Sequence, residues 1–436
     1  MRPPPSDAGG ADGLDPAAAK RELRRSITLP QAVALYAGAV IGAGVLILPG
    51  LAASEAGPAS LLAWGADGLL GVPIALTFAA LAARFPDAGG VSVFAARAFG
   101  GAAGAVVGWF YFAAAAVAQA LVVLTGGHYA ADALGLGRPP TFALAGSMLG
   151  LAVGANLFGL HVSARLQLVL SAAVALVLVA ATLAAVPRVR AGAFTPFLRE
   201  GWGSVGRATI LLFFAFFGWE AITHLSSEFR DPRRDVPRAT LFAVVLVTLV
   251  YLGVAFAVVG TGTYGDDELD RVAVAHVLAD SLGVSAHAVA AAAAVVITLG
   301  TANAFVAATS RLGYALGRDE SLPGPMGRLS RRDVPAVSIL VVGVIAGGGL
   351  VLAYLRGWGA EAFLIVPNSL VIVVYAIGMA AGVRLLVGRG RLIALAAAAL
   401  CLAILPFAGD SLLLPVAVAA AALLYRLRRR RSGREN

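Results

Sequence analysis

Apolar stretches long enough to cross a lipid bilayer recur along nearly the whole 436-residue chain. A transmembrane helix needs about 20 predominantly apolar residues to cross a hydrocarbon core ~30 Å thick. Hydrophobic residues make up 59% of the chain and charged residues 13%, and this charged share is about half that of a soluble domain. We therefore predict an all-α integral membrane protein with twelve spans, near 31–52, 59–82, 99–124, 140–160, 164–186, 206–227, 238–260, 286–313, 335–355, 361–383, 391–408 and 411–426.

Basic residues are concentrated in the two tails and in every second loop. With twelve spans both termini lie on one side of the membrane, and 26 of the 33 basic residues fall on that side. Because cytoplasmic loops are enriched in arginine and lysine, we predict a cytoplasmic N-terminal tail over 1–29 and a cytoplasmic basic tail over 427–436. The net charge of +9 thus reflects topology, and no basic stripe indicates a nucleic-acid partner.

Residues with metal-binding or redox chemistry are sparse. Cys401 is the only cysteine, which excludes an intramolecular disulfide and any metal site built on several cysteines. The five histidines show no spacing typical of a metal site. We therefore expect no resident metal and no cofactor, and the sequence does not specify an oligomeric state.

The first span carries three glycines near its middle, Gly38, Gly42 and Gly44. Glycine destabilises a helix interior by about 1 kcal/mol relative to alanine, so this cluster favours an interruption of the helix. Gly38 and Gly42 also have the GxxxG spacing of closely packed transmembrane helices. The spacing alone leaves both interpretations open.

The sixth span contains Gly218 directly before Trp219 and Glu220, the only acidic residue that we place inside a span. A charged carboxylate at that depth costs several kcal/mol unless it is protonated or hydrogen-bonded. An interrupted helix supplies free N–H groups, and such backbone is tolerated in a membrane only where it lines a cavity or is buried in protein. The sixth span is therefore predicted to be broken as well.

The two predicted breaks occupy equivalent positions if spans 1–5 and 6–10 form two halves of the molecule. Discontinuous helices at equivalent places of an inverted repeat are typical of secondary transporters. The N-termini of half-helices attract anionic groups, and C-terminal carbonyls attract cations. A carboxylate and an ammonium on one carbon satisfy both, so the pattern indicates amino acid transport.

Several segments follow the pattern of one family: Ile41-Gly-Ala-Gly-Val45 with Pro49, the Phe214–Glu220 segment, Ser227–Arg238, Ser310–Pro323, and Phe85–Gly90 with Gly108-Trp109. By these segments, within about 28–385, the chain resembles the amino acid–polyamine–organocation (APC) superfamily. The resemblance implies a leucine-transporter-like core over 30–385, with inverted repeats over about 30–186 and 204–385 and with helices 1 and 6 broken. It also implies two additional helices over 386–426 and a bacterial inner-membrane location. The segment Gly218–Glu228 is most similar to the branch of L-methionine and branched-chain amino acid exporters.

The resemblance assigns the substrate's two charged groups to backbone at the breaks. Its carboxylate would be held by the N–H groups of Gly42, Ala43 and Gly44. Its ammonium would be held by carbonyls near Ile41, Phe214, Ala215 and Phe217. The apolar side-chain pocket or gate would be formed by Phe213, Phe216 and Trp219.

Four polar residues lie near the middle of predicted spans that, by the resemblance, face the transport pathway: Gln119, Thr301, Asn303 and Asn368. Gln119 and Asn368 are candidates for the pocket, and Thr301 and Asn303 for ion coupling. Each has an alternative interpretation as an interhelical hydrogen bond worth about 1 kcal/mol.

The expected coupling ion is H⁺, with Glu220 as a candidate site. Some superfamily members use a fifth-helix lysine for proton coupling, but span 164–186 contains no lysine. Glu220 either caps the second half of helix 6 or carries the proton, since desolvation makes a carboxyl titratable near neutral pH.

The expected function is secondary active export of neutral amino acids such as methionine, leucine, isoleucine and valine. A proton-coupled importer or exchanger of the same fold is the alternative, because alternating access is reversible. An integral-membrane enzyme would need gathered catalytic groups, but the acidic cluster over 266–270 lacks histidine and is interpreted as a solvated loop. A channel or a receptor does not explain paired breaks.

Overall fold

The structure, a computed structural model, describes residues 29, 33, 37, 40–85, 90–159, 164–219 and 232–432. Within these ranges all regular secondary structure is helical and no strand occurs. The predicted all-α class is therefore confirmed. The predicted N-terminal tail lies almost wholly outside the described residues.

Fourteen α-helices form the described part of the chain: α1 (Leu48–Ala56), α2 (Ser60–Arg84), α3 (Gly90–Phe99), α4 (Gly101–Ala133), α5 (Arg138–Leu157), α6 (Ala164–Ala185), α7 (Gly201–Leu212), α8 (Pro232–Thr261), α9 (Asp267–Leu282), α10 (Val284–Arg318), α11 (Ala336–Arg356), α12 (Ile365–Leu385), α13 (Gly388–Ile404) and α14 (Leu413–Ser432). Short 3₁₀ turns over Ala43–Leu46 and Phe213–Phe216 precede α1 and follow α7. Twelve of these helices overlap predicted spans, whereas α3 and α9 were not expected from hydropathy.

Eight helical stretches in the described ranges are long and apolar enough to cross a membrane. Two of them are compound, since Leu48–Arg84 contains α1 and α2, and Gly388–Arg429 contains α13 and α14. Such stretches have no place in a soluble fold, because each would expose a hydrocarbon-length apolar surface to water. The protein is thus a multi-pass membrane protein.

Helix α4 is the central helix of the bundle. It contacts α3, α5, α9, α10, α11, α12 and α14. The most apolar 18-residue stretch of α4 is 72% buried inside the protein, whereas the most apolar 18-residue stretch within Gly388–Arg429 is 22% buried. Polar groups on α4 are therefore held inside protein, while α13 and α14 lie at the periphery.

Exposed apolar side chains form lipid-facing stripes. On α8 the exposed set recurs at helical spacing and comprises Leu241, Phe242, Val245, Leu246 and Leu249. The opposite face of the same helix is buried against the bundle through Val244, Val247 and Tyr251. In a soluble protein such a stripe would be an aggregation hazard, whereas hydrocarbon solvates it.

Helix α9 begins within the acidic segment 266–270. Asp266 caps the helix by accepting from the N–H groups of Glu268 and Leu269, at 3.0 and 3.2 Å. Asp270 is buried and accepts from the Gly265 N–H at 2.8 Å and from the hydroxyl of Ser54 on α1. The expectation of a solvated loop is therefore wrong for Asp270, because its carboxylate docks α9 on α1.

The backbones of α1 and α9 meet at Gly50. A Cβ on Gly50 would lie 2.1 Å from the carbonyl oxygen of Asp270, so only glycine permits this approach. Gly265 and Gly283 flank α9 with φ of 104° and 95°, which side chains other than glycine rarely adopt. Helix α9 thus lies across the end of α1 between two glycine turns.

Candidate functional site

The first helix departs from helical geometry at Gly42. The N–H of Ile41 still donates to the Ala37 carbonyl at 2.8 Å, but Gly42 is extended, with φ −116° and ψ −174°. The next helical turn begins at Ala43. The first N–H groups of a helical segment have no acceptor within it, so this point offers backbone donors inside the bundle.

The sixth predicted span departs from helical geometry after Phe216. Helix α7 tightens into the 3₁₀ turn, Phe217 is extended with φ −72° and ψ 129°, and Gly218 has φ 124°. A side chain at Gly218 would be strained in that conformation. Glu220, which follows Trp219 in the sequence, lies outside the described residues.

The two breaks touch each other. A Cβ on Gly44 would lie 2.7 Å from Cε1 of Phe214, so the glycine lets the aromatic ring pack on the first break. The Tyr251 hydroxyl of α8 lies 3.2 Å from the Val40 carbonyl and 3.2 Å from the Ala215 carbonyl. One buried hydroxyl is therefore shared between the carbonyls of both breaks.

Two further tyrosines hold the breaks in place. The Tyr129 hydroxyl donates to the Leu46 carbonyl at 2.8 Å, and the Tyr375 hydroxyl accepts from the Gly218 N–H at 3.1 Å. Sequence reasoning missed all three tyrosines. The signal was available, because a buried tyrosine carries a hydroxyl that needs a partner, and a broken helix supplies one.

The aromatic residues near the second break divide into two groups. Phe216 packs on Trp64, Tyr251 and Trp219, at centroid distances of 6.1, 5.3 and 6.4 Å, and Phe213 packs on Tyr375 at 5.5 Å. These predicted pocket residues are thus part of a closed aromatic core.

The second aromatic group lies on the side of α4. Phe217 is half-buried and stacks near Phe214 at 6.5 Å and near Tyr111 at 5.2 Å. Phe214 in turn contacts Gly44. Phe214 therefore borders the first break, and Phe217 and Tyr111 continue the row of rings from it toward α4.

The four predicted polar residues have distinct surroundings. The Asn368 amide donates to the Leu211 carbonyl at 3.2 Å, at the end of α7, and the Asn303 side chain accepts from Asn156 at 2.6 Å. These contacts agree with the interhelical interpretation. Thr301 lies closest to the breaks, with Cγ2 4.0 Å from a Cβ position on Gly42. Gln119 is fully buried on α4, and its amide has no hydrogen-bond partner among the described residues.

Asp67 already falls within the predicted span 59–82, so the prediction that Glu220 is the only acidic residue inside a span is wrong. Asp67 is on α2, is 1% exposed, and has no hydrogen-bond partner for either carboxylate oxygen among the described residues. Gly71, one turn further on, lies against the Trp219 indole, and Gly68 lies against Thr248 of α8. Asp67 is therefore on the face of α2 that packs on the second break. It was overlooked because one acid in an apolar run scarcely changes its hydropathy.

The chemistry available at this site is recognition rather than catalysis. Backbone donors and carbonyls of two interrupted helices meet beside aromatic rings, and a buried carboxyl lies behind the second break. Breaks at membrane depth require either burial or a bound polar group. A small zwitterion with an apolar side chain supplies complementary groups.

Comparison with known proteins agrees with this arrangement. The family described as "Amino acid permease" matches residues 32–407. The uncharacterized amino acid permease YecA of Bacillus subtilis is 35% identical over 408 residues, covering 93% of this chain and 96% of the relative. The L-methionine/branched-chain amino acid exporter YjeH of Escherichia coli is 29% identical over 391 residues, covering 89% of this chain and 92% of that protein. The branched-chain amino acid permease BcaP of Bacillus subtilis is 26% identical over 259 residues, covering 55% of this chain and 56% of that protein.

These relatives are named as transporters and permeases, and the first two match over most of their length. The family match includes both helix breaks and Asp67. This chain belongs to the amino acid permease family, within the APC superfamily.

Proposed function

We propose that the protein is a secondary active transporter that exports neutral, apolar L-amino acids by alternating access. The observation that carries the proposal is the contact between the two breaks, through Gly44 and Phe214 and through the shared Tyr251 hydroxyl. In this proposal the chain crosses the inner membrane twelve times with both termini cytoplasmic. Its core over 30–385 consists of two inverted five-helix repeats, as in transporters with paired broken helices.

The proposed substrate site lies between the breaks. The N–H groups of Gly42, Ala43 and Gly44 would hold the carboxylate, as helix N-termini hold anions. The ammonium would be held by the carbonyls of Ile41, Phe214, Ala215 and Phe217. Ala215 already accepts from Tyr251, but a carbonyl oxygen has a second lone pair.

The proposed selectivity follows from the row of aromatic rings Phe214, Phe217 and Tyr111, of which Phe214 contacts the first break. Binding pockets lined by aromatic and aliphatic groups favour apolar ligand parts, so methionine, leucine, isoleucine and valine fit better than charged amino acids. The relative YjeH is named as an exporter of methionine and branched-chain amino acids, which supports the same substrate class.

We propose H⁺ as the coupling ion and Asp67 as a residue that carries it. An ionised carboxylate without partners is very costly in a buried site, so the closed arrangement favours the neutral, protonated acid. A helix movement that admits water beside Asp67 would release the proton. Glu220, Thr301 and Asn303 remain the other candidates for coupling.

Substrate class is tested by counterflow in proteoliposomes preloaded with unlabelled leucine. We expect labelled leucine, methionine, isoleucine and valine to exchange. Arginine and glutamate should fail as competitors, because the rings near the first break carry no charge and the Asp67 carboxyl is proposed to be neutral. Competition by arginine or glutamate at leucine's potency contradicts the proposed class.

Direction is tested by the sign of the pH gradient that drives leucine into proteoliposomes. An H⁺ antiporter accumulates leucine when the lumen is acidic, because protons leave as the substrate enters, and this holds for either orientation of the protein. A symporter requires an alkaline lumen. Accumulation with an acidic lumen supports export in cells, and accumulation with an alkaline lumen supports the importer.

Asp67 is tested with Asp67→Asn beside Glu220→Gln in the same assay. The amide keeps the volume of the acid and cannot release a proton. We expect Asp67→Asn to retain leucine exchange while gradient-driven accumulation is lost. Normal accumulation by Asp67→Asn, together with its loss in Glu220→Gln, would assign the proton to Glu220.

A further inference from the structure

Three potential metal ligands from three helices converge at one end of the bundle. Nε2 of His276 on α9 lies 3.3 Å from Oδ1 of Asp132 on α4, and Nε2 of His287 on α10 lies 2.7 Å from Oδ2 of the same carboxylate. The three candidate ligand atoms lie within 4.8 Å of one another, and the imidazole centroids are 5.1 Å apart.

This arrangement fits a divalent transition metal. A tetrahedral Zn²⁺ with bonds of about 2.0–2.1 Å keeps neighbouring ligand atoms about 3.3–3.4 Å apart, so shifts of roughly 1 Å bring all three groups into range. Imidazole nitrogen and carboxylate oxygen are ordinary zinc ligands. The set is typical of Zn²⁺, Ni²⁺ or Cu²⁺ rather than of Mg²⁺ or Ca²⁺, which favour oxygen ligands.

The surroundings provide room for water and limit the affinity. A cavity of about 110 Å³ is lined by Asp132 but by neither histidine of the cluster, and it is large enough for water to reach the carboxylate. Arg271 lines the same cavity, but its charge is paired with Glu361 at 3.3 Å and Asp267 at 3.8 Å. Arg138 also lines it and donates to the Ala353 and Trp358 carbonyls, and its charge weakens a nearby cation site.

The position of the cluster connects metal binding to movement. Helix α9 contacts α1 through Ser54 and Asp270 and through the Gly50 backbone, and α1 directly follows the first break. A metal joining α9 to α4 and α10 would therefore hold α9, and α1 packed on it, against the rest of the bundle. In the predicted topology this end of the bundle faces outward.

We propose that Asp132, His276 and His287 form a binding site for a divalent transition-metal ion such as Zn²⁺, and that the bound ion holds the outer side of the transporter closed. The proposal that a metal binds here depends only on these three side chains. The closure part rests on the proposed transport function.

Binding is measured as the shift in thermal unfolding of chelator-treated, purified full-length protein on adding Zn²⁺, with Mg²⁺ as the control ion. We expect Zn²⁺ to raise the midpoint and Mg²⁺ to leave it unchanged. His276→Gln with His287→Gln keeps hydrogen-bonding groups beside Asp132 but removes both imidazoles. The Zn²⁺ concentration needed for a given shift should rise at least tenfold, because losing even an outer-shell partner of a ligand typically lowers metal affinity about 10–100-fold.

Asp280→Asn is the matched control, because it removes a neighbouring charge on α9 without removing a ligand. It should keep the Zn²⁺ response. Absence of a Zn²⁺ shift in the unmodified protein overturns the site, and so does an undiminished shift in the double glutamine variant.

A change of ligand type sharpens the test. In a Cys401→Ala background, His287→Cys replaces an imidazole by a thiolate, which is softer. Compared with the Cys401→Ala protein that keeps His287, this variant should show a larger shift of the thermal unfolding midpoint with Cd²⁺ relative to the shift with Zn²⁺. An unchanged order of the two metals contradicts direct ligation by His287.

The closure part is measured as leucine exchange in proteoliposomes with Zn²⁺ on both sides. Zn²⁺ should inhibit the unmodified protein and the Asp280→Asn control, and the double glutamine variant should be at least tenfold less sensitive. Thermal binding without inhibition overturns closure while leaving the site intact. Leucine exchange that is absent even without Zn²⁺ refutes the transport function, and the thermal data then decide the metal site separately.

Discussion

Tyr251 is the residue on which both helix breaks depend. Its hydroxyl is the shared donor for the Val40 and Ala215 carbonyls, and its ring packs on Trp64 at 5.2 Å. Removing one donor from buried acceptors costs about 1–3 kcal/mol. We expect Tyr251→Phe to lower thermal stability by that amount and to slow leucine exchange, whereas Tyr354→Phe, at an exposed position, should change neither. Equal effects of the two variants would contradict a special role for the Tyr251 hydroxyl.

Asp270 makes the docking of α9 dependent on pH. Burial raises the pKa of its carboxyl above the ordinary value, with smaller raising effects from the charges of Asp267 and Asp266, while the Ser54 hydroxyl and Gly265 N–H lower it. The folded state therefore holds this proton more tightly than the unfolded state. By linkage, protonated Asp270 stabilises the folded state at low pH. This stabilisation is lost as the pH rises from the ordinary carboxyl pKa of about 3.9 through the higher pKa of the folded state.

The measurement is the thermal midpoint of the protein between about pH 4 and 7. Asp270→Asn removes the titrating group and should flatten this part of the profile. Asp319→Asn, at an exposed position outside α9, should leave the slope in place. If the pH dependence of the midpoint survives in Asp270→Asn, another titrating group causes it.

At the scale of elements, the 3₁₀ turn over Ala43–Leu46 distinguishes two glycines that look alike in sequence. Among the described residues, a methyl group at Gly42 would meet only Thr301 Cγ2 and the Val40 carbonyl, at 4.0 Å, whereas one at Gly44 would press on Phe214 at 2.7 Å. Overpacking of this kind costs typically 1–3 kcal/mol. We expect Gly44→Ala to lower the thermal midpoint and Gly42→Ala to leave it unchanged while weakening leucine binding. Equal destabilisation by both variants would favour the plain helix-packing interpretation of the glycines.

At the scale of the whole molecule, the distribution of charge predicts orientation. The side that receives both tails holds 26 of 33 basic residues, which is typical of the cytoplasmic side. In a Cys401→Ala background, Leu134→Cys should react with a membrane-impermeant maleimide from outside intact cells. Arg331→Cys, in a loop of the opposite side, should react only after permeabilisation. The reverse pattern of labelling would invert the topology.

Hydropathy was sufficient to predict the membrane class and most helices, because an apolar run of about 20 residues has few alternatives. Gly42 and Gly218 also indicated where the backbone leaves the helix, since glycine acts locally. The meeting of Asp132, His276 and His287 could not be predicted, because 144 and 155 residues separate the carboxylate from the two histidines. Only tertiary packing joins α4, α9 and α10. Helix α9 itself was missed because its apolar face is short and its first turn is acidic.

The backbone contact between Gly50 and Asp270 has a mechanical consequence. Because no side chain separates the two backbones at this point, α1 and the first turn of α9 should swing together as a lever. Helix α9 departs from helical geometry just beyond the contact, at Val272, with φ −132° and ψ 19°. The pivots of this lever are the glycines with positive φ at its ends, Gly57, Gly265 and Gly283. The rate of outward opening should then depend on the stiffness of these three glycine turns.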